Sequence, residues 1–302
     1  MGFIRDIPYH ILKGFLHVVA FMPFWILYGI ADIIFVLMYF VIRYRRKMVR
    51  KNLAECFPEK REKERRIIER KFYRNFADYI LETIKLMHIS DSSMKRRFKF
   101  ENVEILRRLM DEGRGTVAYF SHCFNWEWCP SVTLHCPGQL AAGALMCQIY
   151  RPLRNGKFDS LMLQLRSRFH SVSIPKKVAL RSLLQYRRDG IPTVTGFMSD
   201  QKPSHGDAVH IVDFLNRRTA VITGTETLAR RLGMAVVYFD MHKLGRGKYM
   251  IDVKLMSENG ADTPEFYLTD NYIQLLQETI ERNPSIWLWS HNRWKNTIPD
   301  GK

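Results

Sequence analysis

Cysteine is scarce in this sequence, and the spacing of the few cysteines excludes the common thiol-based sites. The 302 residues include five cysteines, an odd number with no C-x-x-C pair: Cys56, Cys123, Cys129, Cys136 and Cys147. This usage argues against a disulfide framework and indicates reduced thiols in a cytoplasmic compartment. Cys123, Cys129 and His135 lie close together, but their spacing matches no familiar zinc pattern. The sequence therefore predicts no metal site.

The sequence also lacks the signature of a covalent nucleophile. It contains no G-x-S-x-G turn, which would present a catalytic serine. Cys123 directly follows His122, and neighbours on an extended segment point to opposite faces, so a catalytic pair of those two residues is disfavoured. Internal repeats, low-complexity segments and long linkers are absent too. One catalytic domain behind one anchor is the simplest division of the chain.

Acidic residues are in clear deficit. Lysine and arginine number 47 against 30 aspartates and glutamates, a net charge of +17. Such a balance suits nucleic acid, an anionic membrane surface or an acidic protein partner. A long apolar segment accompanies the charge, which favours the membrane and the acidic partner. No nucleic-acid partner is predicted.

The apolar segment runs from Phe15 to Ile42 and is longer than the roughly 20 residues that a membrane span needs. It could cross with tilt, or bend at Pro23 and lie partly in the interface. No small-residue cleavage site follows it, so we interpret residues 1–50 as a retained anchor with a basic flank, Arg43 to Lys51. The positive-inside rule then places residues 51–302, the predicted catalytic domain, in the cytoplasm. Asp32 inside the segment could contact that domain, but placement near a polar boundary is the favoured interpretation.

Beyond the anchor, the hydrophobic periodicity alternates between helix and strand. Apolar residues at three- and four-residue spacings predict an amphipathic helix over 60–88. The elements expected after it are helix 101–112, strand 115–121, strand 138–148, helix 157–169, helix 177–188, strand 192–198, helix 219–232, strand 234–241, strand 248–256 and helix 264–282. This alternation predicts an α/β fold, a mixed central sheet flanked by helices and preceded by a transmembrane or interfacial helix.

The candidate catalytic pair is His122 and Glu127, at the end of the strand predicted over 115–121. Five residues apart on one helix, the two side chains would lie about 140° apart. A working pair therefore needs His122 at the strand end and Glu127 in the first turn of a helix capped by Asn125. The carboxylate could then hold one ring nitrogen of His122, leaving the other to take a proton from an acceptor hydroxyl. A structural histidine among aromatic residues is the alternative.

These residues resemble a known family when they are taken with four other stretches, Tyr150 to Asp159, Ser199 to Pro203, Thr219 to Arg231 and Trp287 to Lys295. Together they are similar to the late acyltransferases of bacterial lipid A biosynthesis, within the lysophospholipid acyltransferase superfamily. The resemblance covers nearly the whole chain. Glycerolipid acyltransferases of the superfamily typically carry Glu-Gly-Thr-Arg, which this sequence lacks, and that favours the lipid A branch.

The resemblance adds four candidate substrate-binding residues. Arg151 follows a predicted strand, and the resemblance implies that it helps to hold the anionic substrate, for whose phosphate its planar guanidinium is suited. A surface arginine is the alternative. Asn155 matches a family asparagine, although Gly156 stands where the family usually has proline. Asp200 follows strand 192–198 and could bind acceptor polar groups or orient an arginine; a turn-initiating aspartate is the alternative. Arg218 precedes a helix that Thr219 is expected to cap, a ready anion site.

The resemblance implies transfer of a fatty acyl chain from an acyl carrier protein thioester to a hydroxyl of an acylated disaccharide lipid. The implied place is the cytoplasmic face of the inner membrane, with His122 as general base. No cofactor is expected, because a thioester is already activated. A superfamily enzyme that acylates a lysophospholipid or an amino-acid lipid would share the His122–Glu127 pair. A membrane-anchored binding protein would have no need of that pair.

Overall fold

The computed structural model describes residues 2–204 and 209–295, with side chains for 9–204 and 210–295. In those residues the α-helices are α1 (Gly2–Phe21), α2 (Phe24–Val36), α3 (Arg46–Cys56), α4 (Glu62–Lys85), α5 (Asp91–Arg97), α6 (Glu104–Asp111), α7 (Pro137–Ala141), α8 (Gly156–Arg166), α9 (Ala179–Arg188), α10 (Gly224–Leu232) and α11 (Tyr267–Arg282). A π-helical turn, Leu37–Val41, extends α2, and 3-10 helices span Trp126–His135, Ser167–Phe169, Lys176–Val178, Gly260–Asp262 and Pro284–Ile286.

A mixed sheet of seven strands forms the centre of the fold, in the order β1-β9-β8-β2-β5-β3-β4. The strands of the chain are β1 (Phe98–Glu101), β2 (Thr116–Phe120), β3 (Leu145–Tyr150), β4 (Val172–Pro175), β5 (Thr193–Met198), β6 (Val209–Phe214), β7 (Arg217–Ile222), β8 (Ala235–Gly245) and β9 (Lys248–Ser257). Only β8 and β9 pair antiparallel within the described sheet, while β6 and β7 form a separate antiparallel hairpin. The predicted fold class, a mixed sheet flanked by helices, is confirmed.

Aromatic side chains cover both faces of the sheet. On one face, Tyr119 of β2 stacks on Tyr272 of α11, with ring centroids 4.5 Å apart. On the other face, Trp128 of the 3-10 helix packs edge-on against Tyr249 of β9 at 5.8 Å. All of these rings are buried, and burial of a large aromatic side chain is a strong source of stability. The packing holds the segment after β2 against the sheet, which fixes the residues that follow His122.

The N-terminal helices pack along α4 but leave much of their apolar surface exposed. Leu27 and Ala31 of α2 contact Ala77 and Leu81 of α4, and Lys85 donates hydrogen bonds to two carbonyl groups at the α1–α2 turn. Phe24–Val41 is long and apolar enough to cross a membrane, with mean hydropathy 2.2 over 18 residues and only 17% of it buried. The chain breaks between α1 and α2 at Pro23, as the sequence allows. An apolar surface of this kind is suited to lipid.

Several predicted boundaries are wrong, for local reasons. The strand expected over 138–148 is a short helix, α7, followed by β3, because Pro137 starts a helix and Gly143, with φ of 95°, ends the turn after it. Strands β1 and β4 and the β6–β7 hairpin were not predicted from the sequence. Helix 60–88 and strand 115–121 match α4 and β2 closely.

Candidate active site

The sheet topology brings His122 and Asp200 together. Strands β2 and β5 are parallel neighbours, and their last residues, Phe120 and Met198, are partners in the register. His122 and Asp200 each lie two residues beyond those strand ends. Because parallel strands end at the same edge of a sheet, the two side chains emerge side by side. This is where open α/β sheets place their functional groups.

Asp200 holds the ring and the backbone of His122. One carboxylate oxygen, Oδ1, lies 2.7 Å from Nδ1 of His122, while Oδ2 accepts hydrogen bonds from the His122 backbone N–H at 3.0 Å and from Nε1 of Trp287 at 2.9 Å. Asp200 is buried, with 2% of its surface exposed, whereas 15% of the His122 side chain is exposed. Burial alone would raise the pKa of Asp200, but His122 and the Trp287 N–H outweigh it and lower that pKa.

This arrangement assigns the histidine tautomer. The Asp200 carboxylate accepts a hydrogen bond from Nδ1–H of His122, so Nε2 of the neutral ring carries the lone pair. The side-chain amide nitrogen of Gln201 lies 3.1 Å from Nε2, which suits an N–H donated to that lone pair. Trp126 packs edge-on against the ring at 5.1 Å and limits its rotation. His122 is therefore an oriented, partly accessible base.

Glu127 does not contact His122, and the predicted contact between them is wrong. Its carboxylate binds Arg166 through two hydrogen bonds, Oε2 to Nε at 2.9 Å and Oε1 to Nη2 at 2.7 Å. It also accepts a hydrogen bond from Nε1 of Trp126 at 3.2 Å. The 3-10 helix that begins at Trp126 turns Glu127 away from the strand end and toward α8. Glu127 does lie in the first helical turn, as expected.

Asn125 has a different partner from the one expected. It makes no side-chain cap; its amide instead donates to Oε2 of buried Glu82 at 3.2 Å. Trp128 donates to the backbone carbonyl of Glu82 at 3.1 Å, and Tyr249 donates to Oε2 at 2.9 Å. Burial raises the pKa of Glu82. These bonds anchor the segment after His122 to α4.

A comparison with known families matches residues 6–296 to the model for bacterial lipid A biosynthesis acyltransferases. The match spans almost the whole chain. The chain belongs to this family. It is an acyltransferase of lipid A biosynthesis, as the resemblance implied.

Curated relatives agree with the family match. The chain is 25% identical over 262 residues to lipid A biosynthesis palmitoleoyltransferase of Escherichia coli (strain K12), covering 86% of this chain and 82% of that protein. It is 24% identical over 290 residues to lipid A biosynthesis lauroyltransferase of the same strain, covering 95% of this chain and 91% of that protein. A lipid A biosynthesis acyltransferase of Haemophilus influenzae is 24% identical over 261 residues, covering 85% of this chain and 79% of that protein.

In this acyltransferase, Arg151 and Asn155 lie on the loop between β3 and α8. Arg151 is exposed and lies one residue after β3, the strand between β5 and β4 in the sheet. Asn155 caps α8, since its side-chain oxygen accepts hydrogen bonds from the N–H groups of Lys157 at 3.1 Å and Phe158 at 3.3 Å. Substrate binding by either residue stays a prediction. The loop lies at the same sheet edge as His122.

Arg218 is not beside a helix N-terminus. The helix predicted over 219–232 begins only at Gly224, and residues 217–222 form β7. Thr219 caps nothing; its hydroxyl accepts a hydrogen bond from Nε1 of Trp294 at 2.8 Å. The run of threonine and branched residues in β7 suits a strand paired with β6. Arg218 is exposed on that hairpin, so its expected anion site loses the helix on which it depended.

Three residues in or near the site, Arg166, Trp287 and Arg293, have roles that the sequence does not predict. No sequence pattern indicates Arg166, and Trp287 is indicated only as part of the stretch Trp287 to Lys295, which is rich in tryptophan and basic residues. Arg293 is 4% exposed and donates to the carbonyl of Ala220 at 2.7 Å, and among described residues no carboxylate lies within ion-pair distance. Burial lowers the pKa of Arg293 to about 10. The basic and aromatic end of the chain was the signal, but spacing alone could not show that it packs against Asp200.

Proposed function

We propose that this enzyme transfers a fatty acyl chain from an acyl carrier protein thioester to a hydroxyl of a lipid A precursor. The proposed acceptor is an acylated disaccharide, and the proposed place is the cytoplasmic face of the inner membrane. The observation that carries the proposal is the His122–Asp200 pair at the carboxyl edge of the sheet, in a chain of the lipid A acyltransferase family.

In the proposed reaction, the acceptor hydroxyl displaces the Gln201 amide from Nε2 of His122. Nε2 then takes the hydroxyl proton as the hydroxyl oxygen attacks the thioester carbonyl. Asp200 stabilises the imidazolium that forms, because its ionised carboxylate already faces Nδ1. The tetrahedral intermediate then collapses, the carbon–sulfur bond breaks, and the imidazolium returns the proton to the departing thiolate. The products are an ester and a free carrier thiol.

Glu127 takes a positioning role in this proposal. Its bond to Nε1 of Trp126 fixes the indole that packs against the His122 ring, and Arg166 holds the carboxylate from the other side. Burial by itself would lower the pKa of Arg166, but Glu127 raises it, which is consistent with a firm ion pair. The Glu127–Arg166 pair thereby restrains the Trp126 indole that packs beside the His122 ring.

Charge and exposed apolar surface support the proposed donor, acceptor and location. Acyl carrier proteins are acidic, so a net charge of +17 favours their encounter. Arg151, exposed at the site edge, could bind an acceptor phosphate through its planar fork. The apolar helix Phe24–Val41 would keep the site close to a lipid acceptor.

Mass analysis of lipids tests the proposal. The chain is expressed in a host that lacks its own late acyltransferase, and extracted lipid A and phospholipids are compared with those of the empty host. We expect lipid A heavier by one acyl chain and unchanged phospholipids. A new acylated phospholipid or amino-acid lipid with unchanged lipid A would contradict the proposed acceptor.

A further inference from the structure

A hollow of about 550 Å³ lies at the end of the candidate membrane span, and five basic residues line it: Arg43, Arg45, Arg46, Lys47 and Arg50. Among the described residues no acidic side chain lines it. The span ends at Val41, so the hollow begins two residues beyond the apolar segment. We call the cavity lined by these five residues the basic hollow. A membrane crossed by that segment would have its lipid headgroups at the level of the hollow.

Two of the arginine side chains that line the basic hollow are held in place by ion pairs to a buried glutamate. Buried Glu69, 1% exposed at its side chain, binds Nε of Arg46 at 3.1 Å and Nε of Arg50 at 3.0 Å. Arg46 also donates to the carbonyl of Tyr39 at 2.9 Å and stacks over that ring. Since buried Glu69 does not line the hollow, it orders the two arginines without filling it. Arg43 and Lys47 are exposed at the mouth.

The local backbone adds to this concentration of positive charge, which Glu69 offsets at only two of the five side chains. Helix α3 starts at Arg46, so its positive end faces the same cations, and its first turn has no acidic residue. Acidic side chains are the usual choice at that end of a helix. Arg43 and Arg45 also have left-handed backbone conformations, with φ of 54° and 50°, which are unfavourable for residues other than glycine. An anion in the hollow would offset the repulsion.

We propose that the basic hollow binds the phosphate of an anionic phospholipid headgroup from the surrounding bilayer. A recessed hollow lined by arginines suits one phosphate, because a guanidinium binds two of its oxygens at once. The adjacent apolar span would place the lipid's acyl chains in the membrane at the same point. A lipid headgroup is favoured over an acidic protein partner because the hollow adjoins the apolar span, where a bilayer lipid is at hand.

The basic hollow is also connected to the active site. Arg45 donates to the carbonyl of Ser290 at 3.0 Å, and Asn52 of α3 donates to the carbonyls of Trp289 and His291 at 2.9 and 3.1 Å. The same segment carries Trp287, which binds Asp200. A bound headgroup would thus steady the segment that supports the catalytic carboxylate. The binding itself does not rest on the proposed reaction.

The test measures lipid binding, not acyl transfer. The full-length enzyme in neutral detergent is titrated with short-chain phosphatidylglycerol and, separately, with short-chain phosphatidylcholine. The test variant is Arg43→Gln/Lys47→Gln; the control is Lys63→Gln/Lys71→Gln, which removes two exposed charges from α4. We expect phosphatidylglycerol to bind more tightly, and the hollow variant to lose about tenfold or more of that affinity while the control keeps it.

Other outcomes are decisive as well. Equal losses in the two variants would mean diffuse attraction and would overturn the site. If the hollow variant instead lost binding of an acidic acyl carrier protein and kept that of phosphatidylglycerol, the hollow would be a protein-docking surface. A raised acceptor KM with unchanged phosphatidylglycerol binding would assign it to the acceptor's phosphate. Normal lipid binding by an enzyme that fails to acylate lipid A would sink the proposed reaction alone.

Discussion

Glu127 and Asp200 are both buried carboxylates, and each binds a different basic group. Their positions in the sequence suggest the opposite choice, because Glu127 is five residues from His122 and Asp200 is 78 residues away. The parallel pairing of β2 and β5 determines that Asp200, and not Glu127, binds His122. The sequence indicates all three residues but predicts the wrong partner for His122, because the correct pairing depends on strand order.

The Glu127–Arg166 pair gives a prediction about stability. Glu127→Gln should destabilise the enzyme by about 3 kcal/mol, because it leaves the mostly buried Arg166 without its counter-charge. The double variant Glu127→Gln/Arg166→Met should recover most of the lost stability, and its turnover should lie within about tenfold of that of the native enzyme. Thermal unfolding and steady-state rates measure the two effects. A stable but inactive double variant would show that Glu127 acts directly in the chemistry.

His291 gives a prediction about pH. Burial lowers its pKa to about 4, from an ordinary value near 6.5. Between these values the unfolded chain binds a proton that the folded chain excludes, so folding stability falls as pH drops from about 6.5 toward 4. His291→Gln should make that fall shallower. Denaturant unfolding at several pH values measures it; an unchanged slope would mean that His291 titrates normally in the folded enzyme.

At the scale of elements, long periodic segments could be predicted and short paired ones could not. Helix α4 and strand β2 carry strong patterns, and their predicted bounds are close to those observed. The β6–β7 hairpin was missed because each strand depends on the other for its hydrogen bonds. Asp32 was expected near a polar boundary, but the structure supports the alternative, a contact with the rest of the enzyme.

That contact runs through Arg246, at the turn between β8 and β9. Its guanidinium binds Asp32 of α2 at 2.9 Å and buried Asp78 of α4 at 2.7 Å. Arg246→Gln should loosen α2 and lower the melting temperature, because Asp78 loses its ionic partner. Lys248→Gln, an exposed change beside the same turn, is the matched control. Hydrogen exchange in α2 should increase only in the Arg246 variant; equal exchange in both would show that apolar packing alone holds α2.

At the scale of the whole molecule, the α/β class and the family could be recognised from sequence. The order of the strands could not, because it depends on long-range pairing that no local pattern records. The orientation in the membrane is a prediction from the basic flank of the apolar segment. It assigns the catalytic side of the chain to the cytoplasm.

Cysteine labelling tests that orientation. All five native cysteines are free and buried, and burial raises their pKa values, so they should react slowly. Glu278→Cys places one exposed thiol on α11. A membrane-impermeant maleimide should label it in inverted vesicles and leave it unlabelled in intact spheroplasts. Labelling in intact spheroplasts would place the site on the outer side, contrary to the prediction.

The central claim is that His122, oriented by Asp200, is the base for acyl transfer. The most direct measurement is the turnover of purified enzyme with an acyl carrier protein thioester and a lipid A precursor. His122→Ala should lower kcat by about a hundredfold or more. Asp200→Asn should also lower it strongly, because an amide cannot stabilise the imidazolium, and both variants should stay folded with acceptor KM little changed. Near-native turnover by folded His122→Ala enzyme would contradict the account.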